Sequence, residues 1–186
     1  MAFAAFFGGR ARRERAAVEL AYAAIVEQAR APVFFATLGV PDTLDGRFDA
    51  LALHVFLVLN RLKADRPASA DFAQALFDRM FTDMDRSLRE MGVADLGVGR
   101  RVRAMAEAFM GRVRAYEQGL EQGDAALEAA LRRNLYGTVA APEPASVATM
   151  ARYMRRQQEA LAGQPAATLI AGELRFAPPA ATEARP

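Results

Sequence analysis

The sequence predicts an all-α fold, a single bundle-like domain of about six helices with a short extended segment near the C-terminus. Hydrophobic residues make up 53% of the 186-residue chain, and many of them are alanine, which has the highest helix propensity. Apolar residues recur through most of the chain at the three- and four-residue spacing of one helix face. A chain of this length can bury the core of one domain without disulfides or a bound metal.

Six helices follow from this periodicity and from the proline and glycine residues that interrupt it. The first ends before Pro32, because the residue preceding a proline is driven out of the helical region. A loop containing Gly39 and Pro41 separates it from the second helix. Gly92 and Gly137 end the third and fifth helices. The predicted helices span about residues 11–30, 43–65, 69–92, 98–122, 124–136 and 145–162.

The second helix is the candidate for the centre of the fold. Its apolar residues form a core-facing stripe, and further apolar residues extend around the other faces. The stripe consists of Phe48, Leu51, Val55, Val58 and Leu62, and it is widened by Leu53, Phe56 and Leu57. A helix that is apolar nearly all round is expected to be covered by its neighbours.

The third and fourth helices are amphipathic and are joined by a short glycine-containing turn. Ser69 is the expected N-cap of the third, with Asp71 in its first turn. The short connections among the middle helices predict antiparallel neighbours, as in a bundle. Their apolar faces comprise Phe72, Leu76, Met80, Met84, Leu88 and Met91 in the third helix, and Val102, Met105, Phe109, Val113, Tyr116 and Leu120 in the fourth.

The two ends of the chain differ from the middle. Residues 1–9 are expected to form a flexible apolar leader, and residues 10–176 the helical domain. From Gly163 onward the composition shifts to proline and alanine. Within that region, residues 169–176 are predicted to dock as an extended piece, and residues 177–186 to form a disordered tail.

The composition excludes several kinds of chemistry. The chain has no cysteine, one histidine and one lysine, Lys63, and none of the motifs GxSxG, GxGxxG, HExxH or a Gly-Lys phosphate loop. We therefore expect no metal site and no cofactor. The histidine, His54, is interpreted as a hydrogen-bonded core residue, because nothing near it in sequence completes a catalytic triad.

Two alternative functions remain open on composition alone. An all-helical small-molecule binder or isoprenoid-type enzyme is one, although the Asp-Met-Asp at residues 83–85 does not supply an aspartate-rich diphosphate site. A helical nucleic-acid-binding regulator is the other, suggested by a pI of about 9.4. The arginines at 100–103 lack the Asn, Gln or Ser neighbours that would read bases, so no nucleic-acid partner is expected.

Opposite charges separate the third helix from the fourth. Residues 71–95 contain six acids and three arginines, whereas residues 97–116 contain five arginines and one acid. One interpretation is a pair of solvated faces, with ion pairs worth about 0–1 kcal/mol each. The other is a partner-binding surface formed by Arg100, Arg101 and Arg103, with Asp83 and Asp85 as a second patch. The three arginines would oppose the helix dipole in a first turn, which favours the binding interpretation.

The N-terminus combines aromatic and basic residues in the manner of a membrane-surface segment. Phe3, Phe6 and Phe7 could enter the acyl boundary while Arg10, Arg12, Arg13 and Arg15 meet anionic head groups. A leader without such a role, or phenylalanines folded onto the core, is the alternative. The longest strongly apolar run, residues 51–59, is too short to span a bilayer, and the charges follow the apolar residues, unlike a secretory signal. We expect a cytoplasmic protein, peripheral to the inner membrane if the N-terminus binds lipid.

The segment DMDRSLREMGVADLGVGRRVRAMAEAFMGR, residues 83–112, followed by Tyr116, resembles the ubiquinol-cytochrome c chaperone family. Three further segments are similar to that family: ALHVFLVLNRLK at 52–63, RNLYG at 133–137 and GELRF at 172–176. The resemblance covers about residues 45–176. It implies a non-enzymatic assembly factor that binds newly made cytochrome b or other assembly intermediates of the bc1 complex, with or without a second chaperone subunit.

Overall fold

The computed structural model describes residues 2–179, and the side chains within that range except those of residues 2–8, 10 and 96. Over this range the chain forms eight α-helices and one 3-10 turn, with no strand, and the all-α prediction is confirmed. The helices are α1 (Ala2–Ala29), α2 (Pro32–Ala36), α3 (Leu44–Leu62), α4 (Ala70–Glu90), α5 (Asp95–Gln122), α6 (Asp124–Asn134), α7 (Pro144–Ala162) and α8 (Ala166–Ile170). The 3-10 turn, Lys63–Asp65, follows α3 directly.

Helix α3 lies at the centre, as its all-round apolar sequence predicts. It contacts α1, α4, α5 and α7, and every residue from Ala50 to Val58 is buried. Thr43 caps its N-terminus, because the Thr43 hydroxyl accepts a hydrogen bond of 3.2 Å from the Gly46 amide. Near its C-terminus, Arg61 donates to the carbonyls of Leu161 and Gln164, which satisfies carbonyls at the end of α7.

Helices α5 and α6 fold back on each other through a one-residue turn. Gly123 forms the turn with φ +103°, a conformation that residues with a side chain rarely adopt. The two helices approach so closely that a Cβ on Gly119 would lie 2.7 Å from the Cα of Leu127. At about 1.5 Å per residue, the eleven residues of α6 reach back along only the last third to half of α5. The N-terminal part of α5 packs instead against α4, where Phe77, Phe81 and Phe109 meet with ring centroids 4.7 to 6.2 Å apart.

Gln157 of α7 and Gln164, two residues after the end of that helix, hold the C-terminal segment against the body. The Gln157 amide is fully buried and exchanges two hydrogen bonds with the backbone of Ala177, at 2.8 and 2.9 Å. Gln164 does the same with the backbone of Arg175, at 2.7 and 3.0 Å. The predicted docked extended piece is therefore present, although it begins only after α8, since residues 166–170 are helical.

Several predicted boundaries were wrong. Helix α1 begins at Ala2, so it includes residues 2–9, which the sequence reading assigned to a leader. Pro32 ends α1 as expected, but it also occupies the first turn of the short helix α2, where its fixed φ is favourable. Ser69 does not cap α4, because its buried hydroxyl donates instead to the Leu62 carbonyl at the end of α3. Most of the predicted tail, residues 180–186, lies outside the described range.

Candidate functional site

Arg100, Arg101 and Arg103 form an exposed basic cluster on the N-terminal half of α5. No ion pair within 4.0 Å joins any of the three to a residue that the structure describes. Because α5 begins at Asp95, these arginines lie in its second and third turns and not in the first. The argument that they oppose the helix dipole is therefore wrong, since that effect fades beyond the first turn.

The arginines of α4 behave differently, because each has an acidic partner. Arg79 pairs with Glu19 at 2.7 Å, Arg86 with Asp83 at 2.7 Å and Arg89 with Asp85 at 2.6 Å. The interpretation as a solvated face with internal ion pairs thus fits α4. It does not fit the basic cluster of α5, whose three positive charges face solvent without a described counter-ion.

Asp83 does not lie on the surface with Asp85, so the prediction of a shared acidic patch there is wrong. Asp83 is only 8% exposed, and its carboxylate accepts a 3.0 Å hydrogen bond from the Tyr22 hydroxyl of α1. Burial and the neighbouring Asp83 charge raise the pKa of Tyr22 well above its usual range. Arg79 lies over the Tyr22 ring, 4.5 Å from its centroid, and completes this contact between α1 and α4. Asp85 alone remains partly exposed, paired with Arg89.

The predicted membrane-contact residues lie on the first turns of α1. Arg12 and Arg13 are exposed, as are all residues from 11 to 16. A run of that length covers more than one full turn, so no side of α1 is deeply buried here, although Ala11, Glu14 and Arg15 line the groove against α4. The side chains of Phe3, Phe6, Phe7 and Arg10 lie outside the described residues.

His54 belongs to a buried chain of hydrogen bonds. Its Nδ1 lies 2.7 Å from the Ala50 carbonyl, and its Nε2 lies 2.7 Å from the Tyr153 hydroxyl, which also accepts from Gln28 at 2.8 Å. A carbonyl can only accept, so Nδ1 carries the proton and Nε2 accepts from Tyr153. Burial lowers the pKa of His54 to about 4, which keeps the ring neutral at pH 7. The prediction of a hydrogen-bonded core histidine is confirmed.

A buried ion pair that sequence reasoning missed connects α3 to α5. Arg112 donates to Asp49 at 2.5 Å and lies 5.6 Å from the centroid of the Phe48 ring. Burial raises the pKa of Asp49 to about 6, and the positive charge of Arg112 only partly offsets that effect. The Tyr116 hydroxyl is buried nearby without a hydrogen-bond partner among the described residues. The only sequence signal was an acid within an otherwise apolar helix.

An apolar cleft opens where α3, α4 and α5 meet. Its volume is about 280 Å³, and its walls include the aromatic rings of Phe56, Phe77 and Phe109. A larger groove of about 790 Å³ runs between α1 and α4 and is lined by a mixture of small apolar and charged residues. Within residues 2–179 no three acidic, histidine or cysteine side chains come together as metal ligands, and no described helix is both long and apolar enough to cross a membrane.

Comparison with known proteins identifies the family. The family model described as "Ubiquinol-cytochrome C chaperone" matches residues 36–176, which is most of the chain. The chain belongs to the ubiquinol-cytochrome C chaperone family. The predicted family is thereby confirmed, and so is the prediction that the chain is not an enzyme, since this is a family of chaperones. The matched range contains the basic cluster of α5 and the apolar cleft, but it excludes α1.

Solved and curated relatives agree with the family. The crystal structure of the Cbp3 homolog from Brucella abortus superposes with a TM-score of 0.83 at 36% identity, covering 95% of this chain and 97% of that one. Ubiquinol-cytochrome-c reductase complex assembly factor 1 of Xenopus laevis is 29% identical over 140 residues, which is 75% of this chain and 70% of the frog protein. The human protein of that name is 25% identical over 158 residues. This chain spans only about half the length of the human protein, 52%.

Proposed function

We propose that this protein is an assembly chaperone for the ubiquinol-cytochrome c reductase (bc1) complex and that its client is newly made cytochrome b. The family match over residues 36–176 is the observation that carries the assembly role. The relatives named as assembly factors of this complex, and the 36% identity to a Cbp3 homolog over nearly the whole chain, support it. The identity of the client is the more specific part of the proposal and needs its own test.

The basic cluster of α5 is the proposed docking surface for an acidic segment of the client or of an assembly intermediate. The support for this surface is the difference between the arginines of α4 and those of α5, which are consecutive helices. Arg79, Arg86 and Arg89 on α4 are neutralised by acids of the same chain, whereas the cluster on α5 has no described acidic partner. An acid from another protein would gain more from pairing with these exposed cations, and it would also be attracted from a distance.

Deletion of the gene followed by heme spectroscopy of membranes tests the assembly role. We expect a loss of the cytochrome b absorbance and of assembled bc1 complex, both restored by the wild-type gene. Normal levels of both in the deletion strain would disprove the role. Pulse-labelled cytochrome b that co-purifies with the tagged protein soon after synthesis would support the client assignment, and labelled cytochrome b absent from the purified protein would remove it.

Charge reversal tests the docking surface in the same strain. The variant carries Arg100→Glu, Arg101→Glu and Arg103→Glu. Its control carries the same change at three exposed arginines of α6, α7 and the C-terminal segment, namely Arg133, Arg152 and Arg175. Both variants change the net charge equally, so a difference between them reports the position of the replaced arginines. We expect the first to fail to restore the bc1 complex and the control to restore it, and equal behaviour of the two would refute the assignment.

A second proposed contact is between the N-terminal turns of α1 and an anionic membrane surface, on the cytoplasmic side of the inner membrane. Its support is the run of exposed residues at 11–16, which includes Arg12 and Arg13. Flotation with phosphatidylglycerol-containing vesicles tests it, with neutral phosphatidylcholine vesicles as the control. We expect binding that weakens in high salt and is lost when Arg10, Arg12 and Arg13 are changed to Gln. Binding that survives this change would exclude the contact.

A further inference from the structure

The apolar cleft between α3, α4 and α5 is lined by core-type apolar residues that other parts of the described chain do not fully cover. Met110 lines this cleft and is 44% exposed, and Phe77, Leu59 and Val113, which also line it, are only partly buried. Together with the buried Phe109 they present an apolar floor to solvent. Methionine adapts its shape to different partners, which suits a surface that receives another protein's side chains.

Positive charges lie along the rim of this floor. Arg66 is exposed and has no ion pair with a described residue. Lys63 stands close by and pairs with Glu117, an acid that also lines the cleft. Arg103 lies seven residues before Met110, so it projects from the same face of α5 about 10 Å further along the helix. Cations therefore lie at one edge of the cleft, and a further cation lies about 10 Å from Met110 along α5.

The size of the cleft indicates what kind of occupant it takes. Pockets for whole small molecules or cofactors have volumes of about 300–1,000 Å³. The volume here, about 280 Å³, falls just below that range and suits a few apolar side chains. Three helices line it as an open trough, which is the shape that receives an amphipathic helix through residues spaced i, i+3/i+4 and i+7.

We propose that this cleft binds an amphipathic helix of the client protein, with its apolar side chains seated on Phe77, Met110 and Val113 and a carboxylate directed to Arg66. The inference rests on the proposed function, because it assigns the occupant to cytochrome b. The basic cluster of α5 then contacts the flanking acidic segment, since Arg103 lies on the Met110 side of α5, about 10 Å along the helix from the cleft. The cleft supplies affinity through apolar burial, and the arginines supply orientation.

A single reporter at the cleft makes the inference testable in solution. The chain has no cysteine, so Gln74→Cys, at an exposed residue that lines the cleft but is not one of the three proposed seats, places one environment-sensitive dye beside the cleft without competing sites. Synthetic peptides that tile the cytochrome b of the same organism are the probes. We expect one peptide with apolar residues at helical spacing and a terminal acid to shift the dye emission and to gain helicity. Failure of every peptide to do so would overturn the proposal.

Unlabelled variants then establish that the peptide sits in the cleft. Met110→Glu introduces a carboxylate that would repel the acidic helix and interrupt the apolar floor, and Arg66→Glu removes the rim charge. Met91→Glu is the matched control, because Met91 is similarly exposed, at 50%, but lies at the turn between α4 and α5. We expect each of the two cleft variants to weaken peptide binding at least tenfold and the control to leave it unchanged. Equal effects of Met110→Glu and Met91→Glu would refute the site.

The same reporter, together with light scattering, distinguishes a client helix from two other kinds of occupant, a lipid and a second copy of this chain. A dye shift produced by oleate or by anionic vesicles, with no shift from any peptide, would assign the cleft to lipid and overturn the proposal. A dimer in light scattering that dissociates in Met110→Glu would assign it to a second copy of this chain. In the deletion strain, loss of bc1 complex that Met110→Glu fully restores would leave the assembly role intact while refuting the cleft. An unaffected deletion strain would instead remove the proposed function itself.

Discussion

Removal of Arg112 should destabilise the protein in a pH-dependent manner. In Arg112→Met the carboxylate of Asp49 keeps its buried position, 8% exposed, but loses the guanidinium that donates to it at 2.5 Å. Breaking one side of a buried ion pair typically costs about 3–5 kcal/mol. Because the Arg112 side chain is itself 18% exposed, we expect the lower end, about 3 kcal/mol at pH 7.5.

The sign of the pH dependence follows from the pKa of Asp49. Burial raises that pKa from 3.8 to about 6 in the folded state, so ionisation of Asp49 disfavours folding. In the wild type this penalty is absent below pH 3.8, grows as the pH rises to 6, and is then about 3 kcal/mol, since each pKa unit corresponds to about 1.4 kcal/mol. The positive charge of Arg112 lowers this pKa, so Arg112→Met raises it further, and the additional loss of the variant grows only above about pH 6. At pH 5.0 Asp49 is mostly protonated in both proteins, and the loss from Arg112→Met should shrink to about 1 kcal/mol, the value of the Phe48 contact.

Urea unfolding followed by circular dichroism at pH 7.5 and pH 5.0 measures both free energies. Asp49→Asn is the matched control, because it removes the carboxylate charge while keeping the shape and an acceptor for Arg112. We expect that variant to unfold within about 1 kcal/mol of the wild type, or to be more stable, at pH 7.5. A loss for Arg112→Met below about 1 kcal/mol at pH 7.5, or an equal loss at both pH values, would contradict the reasoning.

Three further predictions concern the same fold. Burial lowers the pKa of His54 from 6.5 to about 4, so the stability that the neutral ring contributes, about 3 kcal/mol, is present above pH 6.5 and is lost as the pH falls towards 4. Asp49 shifts stability in the opposite direction over nearly the same range, so the quantity to measure is the difference in unfolding free energy between the wild type and His54→Gln in urea melts, which should shrink by about 3 kcal/mol from pH 6.5 to pH 4. Gly119→Ala should cost about 1–3 kcal/mol because its Cβ would meet the backbone of Leu127, whereas Gly111→Ala, where nothing lies within 4 Å, should raise the melting temperature slightly. Thr43→Ala should lose about 1 kcal/mol through loss of the α3 N-cap, and an unchanged melting temperature would count against that cap.

The sequence predicts the helices well where its signal is local. The apolar residues of α3 are numerous enough to require burial on every side, and its central position follows from that requirement alone. The one-residue turn at Gly123 is likewise predicted, because the preceding helix pattern ends at Gln122 and a new one begins at Asp124. The docked C-terminal segment follows from its composition, but its partners do not, since Gln157 and Gln164 carry no local signal for binding a backbone.

The charged residues are where sequence reasoning fails, because charge alone does not reveal burial or pairing. Asp83 and Asp85 are two positions apart, yet a two-residue step turns a helix by about 200° and places one in the core contact with Tyr22 and the other at the surface. The pairing of Asp49 with Arg112 joins residues 63 positions apart, and only the packing of α3 on α5 brings them together. The basic cluster of α5 was identified correctly as exposed, although the dipole argument used for it depended on a helix start three residues too late.

The grip of α7 on the C-terminal segment has a practical consequence for shortened versions of this protein. Gln157 bonds only to the main chain of Ala177. Another residue could therefore replace Ala177, but residue 177 cannot be removed without losing both bonds. An expression clone that stops before residue 177 would remove both hydrogen bonds and expose the Gln157 amide to solvent, whereas an affinity tag appended beyond residue 179 would leave both bonds in place.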